Sequence, residues 1–103
     1  MEPGPKKTEG KLRGVRRQRA LKRKDQRLNI ISARLKLARA QHTPAWTLEQ
    51  LSLAVEEHEG LEISLATIGK IEAGVRGVYD YEVAAFANVL GISADWLLGR
   101  AGP

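Results

Sequence analysis

Ile63-Ser64-Leu65-Ala66-Thr67-Ile68-Gly69-Lys70-Ile71-Glu72-Ala73-Gly74 reads as one short helix with an apolar face. Ile68, Ile71 and Val75 recur at helical spacing and can face a core, which turns Leu65, Ala66, Gly69, Lys70 and Ala73 outward. Ser64 offers a hydroxyl for the N-cap, and Gly74 suits the left-handed conformation that ends a helix. Gly69 costs about 1 kcal/mol against alanine inside a helix, a cost that close backbone approach explains. The outward face is small and almost uncharged, a shape that the floor of a DNA major groove accepts.

On the N-terminal side, Glu56-Glu57-His58-Glu59-Gly60 is polar and reads as the end of a preceding helix and the start of a loop, with Gly60 as its C-cap. That preceding helix starts at a capping box, Thr47-Leu48-Glu49-Gln50, and its inward face is Leu48, Leu51, Ser52 and Val55. Trp46 is placed to staple back onto Leu51. A first helix is expected from an Asn29 N-cap to about Gln41, with Ile31, Leu35 and Ala38 inward, until Thr43-Pro44 stops it. Beyond Gly74, Asp80 is expected to cap a fourth helix whose Val83, Phe86, Ala87 and Leu90 share one face, and Gly91 ends it. Ser93 then caps a last short helix, Ala94 to about Gly99, with Trp96 and Leu97 inward. Tyr79 reads as a packing residue and Tyr81 as one near a phosphate. No segment reads as a strand and no internal repeat is visible, so the fold class is all-α with five short helices.

The net charge of +5 over 103 residues conceals a split. Residues 1–27 hold 11 Lys or Arg and three acids (Glu2, Glu9, Asp25), a balance of +8, while residues 28–103 hold six cations and nine acids, a balance of −3. Residues 1–10 have too little apolar area to offset their ordering entropy and are expected to be disordered. From Lys11 to Arg27 the chain is a basic arm in which Leu12, Val15 and Leu21 are too sparse for a helical stripe. So many cations with so few acids favour a polyanion partner. The absence of cysteine rules out disulfides and thiolate metal sites. His42 and His58 stand in no ligand pattern, and no metal or other cofactor is expected. No apolar run approaches the ~20 residues that span a bilayer, so a cytoplasmic protein with no membrane partner is expected.

Three runs together are similar to a known family: Thr47-x-x-x-Leu51-Ser52, then Ile63-Ser64-x-x-Thr67-Ile68-x-Lys70-Ile71-Glu72-x-Gly74, then Leu90-Gly91-Ile92-Ser93-x-x-Trp96-Leu97. They resemble the XRE-type, lambda-repressor-like helix-turn-helix transcriptional regulators of bacteria and phage, over about residues 29–99. The resemblance implies a compact five-helix DNA-binding bundle at 28–103, preceded by the basic arm at 1–27. In such a bundle the second and third helices form the motif and the third enters the major groove. By position, Leu65, Ala66, Thr67, Gly69 and Lys70, with Ser64 at the cap, fall where bases and phosphates are contacted. Thr47 and Leu48 fall where the family grips phosphate, Arg76 falls beside the backbone, and Arg39 with Glu72 matches an internal salt bridge. The sequence departs from the pattern in three places, one being a first helix-to-helix connection about two residues longer than usual. Leu48 stands where a phosphate-binding glutamine is usual, and about six extra residues around Glu57 to Glu62 lengthen the turn of the motif.

The functional expectation is a sequence-specific regulator of transcription, a repressor, with double-stranded DNA as partner. The third helix would read the site while Arg16, Arg17, Arg19, Lys22, Arg23 and Lys24 of the arm neutralise phosphates. The sequence leaves the oligomeric state open; a homodimer formed on palindromic DNA would use the last helix, through Trp96, Leu98 or neighbouring exposed residues. An alternative of a different class is an adaptor or antitoxin-like partner protein on the same fold, with the acidic Glu56 to Glu62 stretch as its contact. A third is RNA binding by the arm. An enzyme is not expected, since Ser32, Ser52, Ser64 and Ser93 read as cap, packing or surface residues with no base beside them.

Overall fold

A computed structural model describes residues 26–100 of the chain. Among them are five helices and no strand: α1 (Ser32–Gln41), α2 (Leu48–Glu59), α3 (Leu65–Ala73), α4 (Asp80–Leu90) and α5 (Ala94–Leu97). No helix among the described residues is long and apolar enough to cross a membrane. The arm cations Arg16, Arg17, Arg19, Lys22, Arg23 and Lys24 lie outside the described residues.

One apolar core joins the helices. Ile31, Leu35, Leu51, Val55, Ile68, Ile71, Phe86 and Leu97 are wholly buried, as the helical spacing of each segment predicts. Burying each of these larger side chains stabilises the fold by roughly 1.5–3 kcal/mol relative to leaving it exposed. α3 is held between α1 and α2, while α4 packs on α2 and α5 closes over α4 and α1. The Arg34 guanidinium, 4.9 Å from the centre of the half-buried Trp96 ring, also donates to the Trp96 carbonyl at 2.9 Å and ties α1 to α5.

Three helix starts are built as the side chains dictate. Thr47 Oγ1 accepts from Gln50 N at 3.1 Å while Gln50 Oε1 accepts from Thr47 N at 2.8 Å, the reciprocal capping box. Ser64 and Ser93 each accept one N–H at the head of α3 and α5.

Elsewhere the structure corrects the expectations. Asn29 is not a cap: α1 starts at Ser32 without a side-chain cap, and Asn29 is buried as a strut. Its Nδ2 donates to the carbonyls of Ile71 and Arg76, both at 2.9 Å, and its Oδ1 accepts from Ile31 N. Val75 is 62% exposed rather than in the core, because Gly74 at φ +79° turns the chain out of helical register. Asp80 is the first residue of α4, the cap position falls to Tyr79, and Glu82 reaches back to accept Tyr79 N at 2.9 Å. α5 stops at Leu97, short of Gly99.

Half of the lengthened turn of the motif, Glu57 to Glu59, is helix. α2 runs on through Glu59, since glutamate is a good helix former and the first residue able to stop it is Gly60, left-handed at φ +67°. What remains between the two helices is Gly60 to Ser64. Ile63 of that connection is buried, and its carbonyl accepts a hydrogen bond from Ser52 Oγ of α2.

Candidate nucleic-acid interface

α3 turns Ile68 and Ile71 into the core, and this leaves Leu65, Ala66, Lys70 and Ala73 exposed, with Thr67 and Gly69 half-exposed beside them. The two hydroxyls at its head are ordered with respect to each other. Ser64 Oγ accepts from Thr67 N at 3.2 Å and donates to Thr67 Oγ1 at 3.0 Å. Thr67 Oγ1 therefore accepts a hydrogen bond from Ser64, and its own O–H can donate outward.

Gly69 meets the start of α2. A Cβ built there lies 3.6 Å from Leu48 Cδ1, an ordinary contact, so Leu48 fills the shoulder between the two helices. The exposed Thr47 precedes it, which puts Thr47, Leu48, Gly69 and Lys70 in one neighbourhood. Leucine offers no hydrogen bond to a phosphate, but here it packs on the half-exposed glycine of α3.

Two arginines brace this surface from behind. Arg39 grips Glu72 with both ends of its fork, Nε to Oε2 at 2.7 Å and a terminal nitrogen to Oε1 at 2.9 Å, and also donates to the Trp46 carbonyl at 2.8 Å. Arg76 donates to the buried Glu82 at 3.0 and 3.3 Å and to the Gly77 carbonyl at 2.8 Å. The guanidinium assigned to the DNA backbone by resemblance is thus engaged with an internal carboxylate. The hydrogen bonds that the two arginines donate to Glu72 and Glu82 raise them above their ordinary pKa, against the opposing effect of burial. A raised folded-state pKa contributes stability that is fully present below the unfolded value and is lost only as pH rises through the folded one. Both arginines are therefore charged, and their contribution flat, across the physiological range.

No local pattern announces how the chain enters this face. Leu28 N donates to the Gly74 carbonyl at 2.8 Å, and the Arg27 side chain lies across Gly74, where a Cβ would come within 3.0 Å of Arg27 Cγ. Arg27 also donates to Ser32 Oγ at 2.9 Å. With Asn29 bonded to Ile71 and Arg76, residues 27–29 are strapped to the C-terminal end of α3. Conformation and space together require glycine at position 74.

Two further surfaces flank it. Tyr79 and Tyr81 are 58% and 54% exposed, so Tyr79 is not the packing residue expected of it. Their rings stack at 5.3 Å with 12° between the planes, and the Arg76 guanidinium lies 5.8 Å from the Tyr79 ring. On the other side, α2 exposes Leu53 in a shallow groove with Glu56 and Glu57, while Glu59 accepts from Asn88 at 2.7 Å.

No family model matches the chain, and neither a curated protein nor a solved structure matches it.

Proposed function

We propose that this protein is a sequence-specific DNA-binding regulator of transcription, acting as a repressor, with α3 in the major groove and the basic arm on the phosphates. The observation that supports this most is the strap at Gly74, which ties residues 27–29, where the basic stretch of the sequence ends, to the C-terminal end of α3. Leu65 and Ala66 suit a thymine methyl, Thr67 can donate to a base edge, and Lys70 suits guanine O6 and N7. Thr47 and Ser64 sit at helix starts, where hydroxyls and N–H groups favour phosphate. With so few hydrogen-bonding groups on α3, direct readout is modest and the arm supplies most of the affinity.

The test is selection of bound sites from random duplex DNA, then fluorescence anisotropy on the winner and on a scrambled control. A winner bound much more tightly than the control, with Lys70→Ala relaxing preference at one base pair by about 1–3 kcal/mol, is the expected result. A ratio near one overturns sequence-specific recognition.

A second reading is favoured by one feature, the 56% exposed Leu53 with Glu56 and Glu57 beside it on α2. This face suits a protein partner carrying basic and apolar side chains. Loss of a stoichiometric complex on Leu53→Glu, with DNA affinity unchanged, would select it.

A further inference from the structure

The C-terminal ends of α1 and α4 meet the start of α5 around an open hollow of about 390 Å³, a volume within the range of small-molecule sites. Its wall is apolar, made of Ala38, Leu90, Ile92 and the half-buried Trp96. Gln41, His42 and Ser93 supply the polar groups, and no Asp, Glu, Lys or Arg is among the described residues that line it. Arg34 lies against Trp96 and bonds its carbonyl, but it does not line the hollow. An ion entering here would lose hydration without gaining a counter-charge, and the two helix C-termini offer a cation less than that loss. The lining therefore favours a neutral occupant.

The direction of hydrogen bonding is fixed as well. His42 Nδ1 lies 2.9 Å from the Pro44 carbonyl oxygen, which can only accept. In the neutral ring Nδ1 therefore carries the proton, and Nε2 is left as an acceptor. Ser93 Oγ accepts from Trp96 N at 3.0 Å, which leaves its O–H to donate. The His42 ring is already half of a stack. Trp46 covers one of its faces, with centroids 3.8 Å apart and 23° between the planes, and Trp46 is not part of the wall. What His42 can present to the hollow is thus its other face and its edge. A flat ring with an N–H or O–H group matches this set, since it can pack on Trp96 and His42 and donate to Nε2.

We propose that this hollow binds a small, neutral, aromatic molecule carrying an N–H or O–H donor, at a site lined by no described residue of α3. The inference stands independently of DNA binding.

The experiment is a proton–nitrogen NMR titration of the full chain with indole, with 1-methylindole, whose donor is blocked, and with the charged rings indole-3-carboxylate and tryptamine. Indole should move the Trp96 side-chain N–H signal and the backbone signals of Ile92 and Ser93 along one saturable curve. A Kd on the order of 1 mM is expected for so small a ligand. 1-Methylindole should bind roughly three- to tenfold more weakly, the worth of one net hydrogen bond, and both charged rings should also bind more weakly than indole. His42→Phe keeps a flat ring against Trp46 and removes Nε2, so indole should fall to the affinity of 1-methylindole. A spectrum that overlays on wild type away from the hollow shows the variant to be folded; without that overlay, the wild-type series alone decides. Absence of a saturable shift at Trp96, Ile92 and Ser93 overturns the site. Equal binding of indole and 1-methylindole by wild type, or an unchanged preference in folded His42→Phe, overturns the donor to His42. Tighter binding of either charged ring overturns the neutral class. Movement of the same signals on dilution, with no probe present, would show that a second copy covers the hollow and would overturn the proposal.

Discussion

Replacing Gly69 by alanine separates what the fold needs at the middle of α3 from what binding needs. Gly69 has ordinary helical geometry, and an added Cβ would meet only Leu48 Cδ1, at 3.6 Å, the tip of a flexible side chain. Nothing in the packing therefore opposes the methyl group. Helix propensity favours alanine by about 1 kcal/mol, and lost freedom of the unfolded chain is the main source of that gain. A net stabilisation of ~0.5–1 kcal/mol is expected, which raises the melting temperature of a domain of this size by roughly 2–8 °C. Binding should move the other way. On the proposed docking the glycine lets the α3 backbone approach the groove floor, and a methyl group holds it off, so affinity for the selected duplex should fall by about fivefold, or ~1 kcal/mol. Thermal unfolding by circular dichroism and anisotropy on one preparation measure both quantities. A lowered melting temperature would refute the packing argument at Leu48. A raised melting temperature with unchanged affinity would refute the placement of Gly69 against DNA.

Arg39→Met strips the fork from Glu72, whose side chain is only 7% exposed, and should destabilise by about 2–3 kcal/mol in urea unfolding, with the Arg39→Met, Glu72→Met double variant losing less. Asn29→Ala removes three hydrogen bonds from a buried site and should cost about 2–3 kcal/mol by the same measurement. A cost near the ~1 kcal/mol typical of a lost helix cap would contradict its role as a strut. Deletion of residues 1–25 should leave the melting temperature nearly unchanged and flatten the dependence of log K on log salt, by about 0.9 for each phosphate that is no longer neutralised. An unchanged slope would remove the arm from the binding account.

The helices were legible because their signals are local. Ile68 and Ile71, Val83 and Phe86, and the Thr47–Gln50 box each declare themselves within a few residues, and all took the expected places. What failed was decided at a distance or by competition. Asparagine before an apolar run reads as a cap, but the carbonyls that claim Asn29 lie 42 and 47 residues away, out of reach of any local pattern. Val75 continues the apolar spacing of α3, and the left-handed Gly74 overrides that spacing. Gly60 ends α2 as expected, but the helix-forming residues before it carry α2 through Glu59, so the turn is shorter than the Glu57 to Glu62 stretch suggests. For the candidate site, helical spacing placed Leu65, Ala66 and Lys70 on the exposed side of α3, where they stand. No spacing rule could show that Glu82 would claim Arg76 or that two tyrosines would stack in solvent.

On the proposed docking, the strap at Gly74 would give the molecule a polarity along DNA. Arg16, the most distant of the six arm cations assigned to phosphates, is joined to Gln26 by a stretch that spans at most ~36 Å. That is about one helical turn of the duplex. With the root fixed beside the C-terminus of α3, every one of those cations must land within a single turn of that end. A nuclease footprint of one bound copy should therefore be lopsided, with protection running further past one edge of the base-read sequence than past the other. The direction of the overhang would report which way α3 lies in the groove.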